Sequence, residues 1–394
     1  MNKNVNVAVV GLGTVGGGLC HLLINKGNEA YKNINLYAIC DLNEKRCQEI
    51  KDSTKEKILI YHDYIDVLKD KNIDIIVELM GGDRIAFDLI SRALKNNISV
   101  VSANKQVIAN HYDEFMELLK TSNAHFMFEA SVGGVIPIIN NMVNYSKVND
   151  IKEIKGIING STNYVLTLMQ KDGIGYQEAM QKATELGFLE ADPSADIDGL
   201  DILRKITILS NIAYRTYINV NDVYVYSLKN VNDNFIKKAN ELGFTLKYMA
   251  QSNLTKNGVG IRVEPTLIKD DSLYSMINYE RNHVSYFSQS TGLIDMSGFG
   301  AGRYPTASAV MSDIIQLANN QHYYGLDINS KLNVFGNKNY EDIYLIELKE
   351  NEKLPKEMID VDLGNFVLTK KIKGYQLNDV LEKIKFYGRV IEHD

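Results

Sequence analysis

The chain has no tryptophan, five prolines and three cysteines in 394 residues. Cys20, Cys40 and Cys47 are too few, and wrongly spaced, for a disulfide framework or a metal site. They fit free thiols in a reducing cytoplasm, which is the expected location. No stretch of eighteen apolar residues occurs, so no membrane-spanning helix is expected. No charged leader, apolar segment and small-residue cleavage site precede "VNVAVV", so no secretory signal is expected. No basic run is interleaved with aromatics, and the net charge is −6, which speaks against a nucleic-acid partner. Internal repeats and low-complexity tracts are missing too. The absence of tryptophan reads as genome composition rather than function. What remains is a globular composition, 45% apolar and 23% charged, sufficient for roughly two or three domains.

The first motif lies at the beginning. Val5 to Val10 is a β-branched run that reads as a buried strand. It enters Gly11-Leu12-Gly13-Thr14-Val15-Gly16, a G-x-G-x-x-G. Leu19, Leu22 and Leu23 then mark a helix, closed near Gly27. In such a turn the first glycine permits the bend and the second lets backbone amides approach a pyrophosphate. The third allows helix and sheet to pack closely, and the helix N-terminus carries the phosphate charge. A second strand, "INLYAIC", ends at Asp41, where an acid can bind the adenosine ribose hydroxyls. No arginine stands at that strand end, although Lys45 and Arg46 are near. The expected dinucleotide is therefore NAD, with NADP not excluded.

Strand and helix patterns keep alternating. "IDIIVELMGG", "ISVVSANKQVIA" and "AHFMFEASVGG" read as strands, with an amphipathic helix "DRIAFDLISRALKNN" between the first two. The alternation predicts a mostly parallel sheet covered by helices, a Rossmann-type α/β domain. Ligands in that fold sit beyond the carboxyl ends of the strands, where Gly81, Lys105 and Glu129 fall. After residue 131 the pattern changes to α+β, with scattered strands and helices and no deducible strand order.

Within it, "EADPSADIDGLDILRK" places Glu190, Asp192, Asp196, Asp198 and Asp201 ahead of Arg204 and Lys205. Asp201 and Lys205 are four apart in a predicted helix and share a face. An i,i+4 surface pair of that kind is common and worth roughly 0.2–0.5 kcal/mol. Asp196 or Asp198 could instead cap the helix starting at Leu200. Calcium is a weaker reading, because EF-hand spacing and its closing glutamate are absent.

Taken together, "GLGTVG", "VELMGG", "SANK", "FEASVGGVIPII", "GIINGSTNYVL", "LGFLEADPSADIDGLDILRK" and "GAGRYPTASAVMSDI" resemble homoserine dehydrogenase. The resemblance implies NAD(P)-dependent interconversion of L-aspartate-4-semialdehyde and L-homoserine, a step towards threonine and methionine. It implies Lys205 as acid/base, and Asp201 and Glu190 as ligands of the amino acid, with Asp196 beside them. Gly187 and Lys105 would touch the cofactor, and Gly302 would approach it with the Gly11–Gly16 turn. Oxygens of Glu129, Val132, Gly134 and Ile136 would bind a sodium ion. The chemistry agrees: a lysine ammonium can polarise an aldehyde and protonate the alkoxide left by hydride. Carboxylates can hold the substrate's ammonium. The alternatives are another amino-acid dehydrogenase on this architecture, or a silent dinucleotide-binding regulator.

The expected organisation is a dinucleotide-binding domain over residues 1–131, completed by a helix at about 305–330. A substrate and dimerisation domain follows over 132–304. Many members of the resembled family add a βαββαβ ACT domain. Here "DIYLIELK", "NFVLTKKIKGY" and "QLNDVLEKIKFYGRVIEHD" leave room only for a shortened ACT-like module over 335–394. A homodimer or homotetramer is expected, with a small amino acid as the only other partner.

Overall fold

The computed structural model describes residues 4–25, 27–190, 192–323, 326–329 and 331–391. The strands run β1 (Val5–Val10), β2 (Ile34–Cys40), β3 (Leu59–Tyr61), β4 (Ile75–Glu78), β5 (Ser99–Ser102) and β6 (Phe126–Met127). After them come β7 (Ile151–Ile157), β8 (Tyr224–Val225), β9 (Phe244–Thr255), β10 (Gly258–Lys269), β11 (Arg281–Ser288) and β12 (Gly292–Phe299). The last are β13 (Val334–Phe335), β14 (Glu341–Leu348), β15 (Ile359–Asp362), β16 (Phe366–Thr369), β17 (Ile372–Lys373) and β18 (Ile384–Ile391). The helices are α1 (Thr14–Asn25), α2 (Glu44–Asp52), α3 (Tyr64–Lys69), α4 (Arg84–Lys95), α5 (Lys105–Asn110), α6 (Tyr112–Leu119) and α7 (Ile138–Tyr145). Then follow α8 (Gly160–Lys171), α9 (Tyr176–Glu185), α10 (Ser194–Ile197), α11 (Leu200–Tyr214), α12 (Asp233–Glu241), α13 (Arg303–Ala318) and α14 (Gly374–Asn378). Among the described residues no helix is long and apolar enough to cross a membrane.

Two compact units emerge. The first comprises Met1–Val148, Asn211–Tyr217 and Phe299–Lys331. Its sheet has the order β3-β2-β1-β4-β5-β6, and every pairing is parallel. That is the doubly wound order of dinucleotide-binding folds, as the alternating pattern predicts. The β-branched strands are buried on both faces because helices cover both. Helix α13 packs into the same core through Ala307, Val310 and Ile314. A Cβ on Gly18 would stand 2.9 Å from Arg303 Cγ, so glycine is what lets α1 and α13 approach. The helix ends at Ala318, earlier than the residue 330 expected.

Two segments differ from the sequence pattern for local reasons. "KQVIA" looks like strand but forms α5, because Asn104 Oδ1 accepts from Val107 N at 3.3 Å and caps it. Strand β6 has two residues only, because Glu129–Ser131 winds into a 3-10 turn.

The second unit comprises Asn149–Ser210, Ile218–Gly298 and Leu332–Asp394. Its mixed sheet runs β12-β11-β7-β9-β10-β18-β14-β16-β15. Strands β9 and β10 form its long antiparallel hairpin. Strand β18 lies between β10, to which it is parallel, and β14, to which it is antiparallel. The expected shortened ACT-like module therefore does not stand apart: its strands continue the central sheet. Among the described residues after 335, helix is reduced to the five-residue α14 and three 3-10 turns, too little for a βαββαβ unit.

The join is ionic as well as apolar. Arg262 of β10 donates to Asp342 of β14 at 2.6 Å, and its Nε lies 3.2 Å from Glu264 Oε1. Arg389 Nε of β18 lies 2.7 Å from the same Glu264 oxygen, not aligned as a hydrogen bond. Arg389 Nη1 is 4.0 Å from Asp342. Arg262 also stacks over Tyr340, 3.7 Å from the ring centroid. Two cations thus meet two anions. Burial would raise the Asp342 carboxyl, but Arg262 and Arg389 hold it below its usual value.

Candidate active site

In the first unit the glycine turn has the shape the motif predicts. Gly11 adopts φ +94°, a left-handed conformation that favours glycine. A Cβ on Gly16 would lie 2.0 Å from Gly11 O, so a side chain there would force α1 off the turn. A Cβ on Gly13 would meet no protein atom within 4 Å, leaving that backbone open to a ligand. Thr14 and Val15 open α1, and Thr14 is exposed. The cleft beside them is lined by Leu12, Gly13, Thr14, Gly17, Arg46 and Arg303. Open amides at a helix start with two guanidinium groups fit a dinucleotide's phosphates.

Asp41 stands at the end of β2, as expected, and its carboxylate also serves the turn. Oδ2 accepts from Leu12 N at 2.7 Å and Oδ1 from Asn43 N at 2.8 Å. Lys105 is half-buried at the first position of α5. Sequence reasoning missed what holds it there. Buried Glu78, at the end of β4, accepts from Ser102 Oγ at 2.7 Å. Ser102 Oγ in turn accepts from Asn104 N at 3.0 Å. The signal was a lone carboxylate closing the apolar run "IIVE". Burial raises the Glu78 carboxyl. Gly302 is exposed, at φ +120°, just before α13.

Glu129 is buried. Its carboxylate accepts from Ile139 N at 2.8 Å, from Asn140 N at 2.7 Å and from the Asn140 side-chain amide. These bonds serve the start of α7. Burial pushes the carboxyl up to about 7. Val132, Gly134 and Ile136 follow in the same turn, all buried, and Ile136 O accepts from Ile138 N at 2.8 Å.

The second unit holds the acid cluster, and the fold divides its members. Asp192 is exposed and its Oδ1 accepts from Ser194 N at 3.1 Å, at the head of α10. Asp196 lies within α10 and Asp198 ends it, so both precede the turn at Gly199 that leads into α11. Asp198 Oδ1 accepts from Ser227 Oγ at 2.8 Å. Glu190 and Gly187 are exposed beyond α9, with Gly187 at φ +76°.

Asp201 and Lys205 face inward from α11. Lys205 Nζ donates to Asp201 Oδ2 at 2.7 Å and to Ile158 O at 2.8 Å. The two side chains are 6% and 8% exposed, which rules out the common surface pair. Asn159 joins them: its Nδ2 donates to Asp196 Oδ1 at 2.6 Å and to Asp201 Oδ2 at 2.8 Å. Asn159 lies in the motif "GIINGSTNYVL", but sequence reasoning did not single it out. An asparagine directly before Gly160 and a helical run was the available sign. An ammonium held by a carboxylate and a carbonyl, with a second carboxylate adjacent, is equipped to move a proton and receive an amino acid.

Comparison with known proteins agrees with both halves. Residues 11–129 match the NAD-binding domain of homoserine dehydrogenase, and residues 137–315 match the homoserine dehydrogenase domain. Homoserine dehydrogenase of Neisseria gonorrhoeae is 36% identical over 320 residues, covering 80% of this chain and 73% of the relative. The chain belongs to the homoserine dehydrogenase family. The Bacillus subtilis homoserine dehydrogenase is 31% identical, over 81% of this chain and 74% of its own. Among solved structures, a homoserine dehydrogenase from Thiobacillus denitrificans superposes with a TM-score of 0.89 at 26% identity, over 99% and 98% of the two chains. A hyperthermophilic archaeal homoserine dehydrogenase in complex with NADPH superposes with a TM-score of 0.69 at 28% identity, over 81% of this chain and 99% of that one. Like the rest of the homoserine dehydrogenase family, the chain is an oxidoreductase that uses a nicotinamide dinucleotide and a small-molecule substrate.

Proposed function

We propose that the chain interconverts L-aspartate-4-semialdehyde and L-homoserine, with Lys205 as the acid/base. The observation that carries this reading is the buried Asp201–Lys205 pair, 2.7 Å apart, inside the matched catalytic segment. The bound dinucleotide supplies or accepts the hydride. Asp201 and Ile158 O orient the Lys205 ammonium, which protonates the oxygen in reduction and takes the proton back in oxidation. Asp196, Asp201 and Glu190 are assigned to the substrate's ammonium, for which opposite charge is the recognition chemistry. Gly11, Gly13, Thr14, Val15, Gly16, Asp41, Lys105, Gly187 and Gly302 are assigned to the dinucleotide.

NAD is the preferred form in this reading, because the Asp41 carboxylate would repel a 2′-phosphate. Arg46 on the cleft wall would admit NADP more weakly. Glu129, Val132, Gly134 and Ile136 offer oxygen donors suited to a hard cation such as sodium. A homodimer or homotetramer is supported by apolar side chains left exposed on the edge strand β12, Leu293, and on its neighbour β11, Phe287. Cytoplasmic residence is supported by three free, buried cysteines.

The test is homoserine-dependent reduction of NAD and NADP by the purified protein and by Lys205→Met. The variant should lose at least about 100-fold in kcat, within the range for a general acid/base, while binding dinucleotide normally. A kcat within a few-fold of the parent would refute the role of Lys205. Absence of homoserine-dependent turnover in the parent would refute the substrate.

A further inference from the structure

We infer that Asn159 is a positioning residue that bridges the Asp196 and Asp201 carboxylates with its side-chain amide and so reserves Asp201 for Lys205. The inference rests on the reading of Lys205 given above. It begins with the path of the chain. Strand β7 ends at Ile157, and the next two residues both serve the lysine. Ile158 gives its carbonyl to Lys205 Nζ, and Asn159 gives its amide to the two carboxylates.

The orientation of that amide is fixed by its other end. Asn159 caps α8: its Oδ1 accepts from Thr162 N and from Thr162 Oγ1, each at 2.8 Å. The oxygen is therefore committed to the helix, and the NH2 must face the acids. That NH2 has two donors and two carboxylates within reach, at 2.6 and 2.8 Å. Asn159, Thr162, Asp201 and Lys205 are all buried, so water is a poor substitute for these bonds.

The platform beneath is rigid. A Cβ on Gly160 would stand 2.7 Å from Glu280 O, so the backbone next to Asn159 sits hard against that segment. One turn on, Asn163 Nδ2 lies within hydrogen-bond distance of the carbonyls of Ile277, Tyr279 and Arg281, at 3.1, 2.9 and 3.1 Å. Asn159 therefore projects from a fixed frame.

The electrostatic consequence follows. Two carboxylates bridged by one group repel each other, and a nearby ammonium is drawn to both. The neutral amide answers each acid with one N–H and adds no charge. Lys205 then stays with Asp201 and Ile158 O instead of swinging towards Asp196, and Asp196 remains available to a substrate ammonium.

The test uses Asn159→Ser, since serine still caps a helix but is too short to bridge the acids. Hydrogen bonds to charged groups of this kind correspond to about a 10- to 100-fold loss in kcat, with dinucleotide affinity unchanged. Asn159→Asp keeps size and cap yet adds a third carboxylate, and should lose more. The decisive variant is the double Asn159→Ser/Asp196→Asn. Neutralising Asp196 removes the competitor for Lys205, so kcat at saturating homoserine should recover above that of Asn159→Ser, while loss of the Asp196 charge raises KM. A purely structural cap predicts near-parental kcat in Asn159→Ser and no recovery in the double variant. Either result overturns the inference. If Lys205→Met is inactive while Asn159→Ser matches the parent, the positioning role falls alone. If Lys205→Met turns over normally, both readings fall.

Discussion

Replacing Glu264 by glutamine should weaken the second unit severely although it lies in no active site. Glu264 is fully buried on β10, with Arg262 and Arg389 beside it and Asp342 completing the set. The four charges sum to zero. Glutamine leaves two guanidinium groups facing one carboxylate in a site Arg262 shares with no solvent, at 1% exposure. Removing one partner of a buried ionic group costs about 3–5 kcal/mol, because the remaining charge is uncompensated. Against a typical net stability of about 5–15 kcal/mol that is a large fraction. It corresponds to a fall in Tm of roughly 6–20 °C for a unit of this size. Urea unfolding followed by far-ultraviolet circular dichroism measures the change. A cycle with Arg389→Met supplies the control: losing a cation together with the anion should destabilise far less than the two single losses summed. A cost below about 1 kcal/mol for Glu264→Gln, or strict additivity with Arg389→Met, would refute the idea that these charges compensate one another.

Three further substitutions have defined outcomes. Gly13→Ala should leave Tm unchanged, because its Cβ meets no protein atom, yet weaken dinucleotide binding by at least about 10-fold. Gly16→Ala, with its Cβ 2.0 Å from Gly11 O, should lower both, and titration calorimetry beside a thermal melt distinguishes the two. Lys247 is buried on β9 and donates to Asn163 Oδ1 and Ile277 O, and burial pushes its ammonium down to about 7. The folded protein then holds fewer protons than the unfolded chain from pH 7 up to the ordinary lysine range. Stability should accordingly rise with pH there, by about 1 kcal/mol between pH 7 and 8. Lys247→Met should flatten that slope in urea titrations; an unchanged slope would assign it to other groups.

Much of this architecture is legible in the chain itself. The glycine turn, the β-branched strand before it and the repeated strand–helix alternation encode the first unit, because each is a local choice with one geometric outcome. The Asp201–Lys205 pair is equally local, four residues apart on one helix. What sequence periodicity does not carry is long-range partnership. Asn159 meets Asp196 and Asp201 across more than thirty residues, and nothing in "NGSTNY" names them. Lys105 looks like a strand exit until Asn104 is seen capping α5. The residues after 335 read as a shortened ACT-like module because the resembled family often carries an ACT domain there. Their true neighbour is β10, 123 positions earlier at the Thr266–Arg389 contact.

That separation bears on how the molecule is made. Strand β18 is inserted between β10 and β14, so the second unit's sheet has a gap in its middle until residues 384–391 have been synthesised. During translation β10 lacks its β18 partner at Thr266–Ile268, and Arg262 and Glu264 wait for Arg389. Strand β1 finds its partners β2 and β4 within the first 78 residues. The nucleotide cradle can therefore begin to assemble on the ribosome. The second unit's sheet closes only after residues 384–391 have been made, and long-range parallel pairing of this kind is intrinsically slower than local pairing.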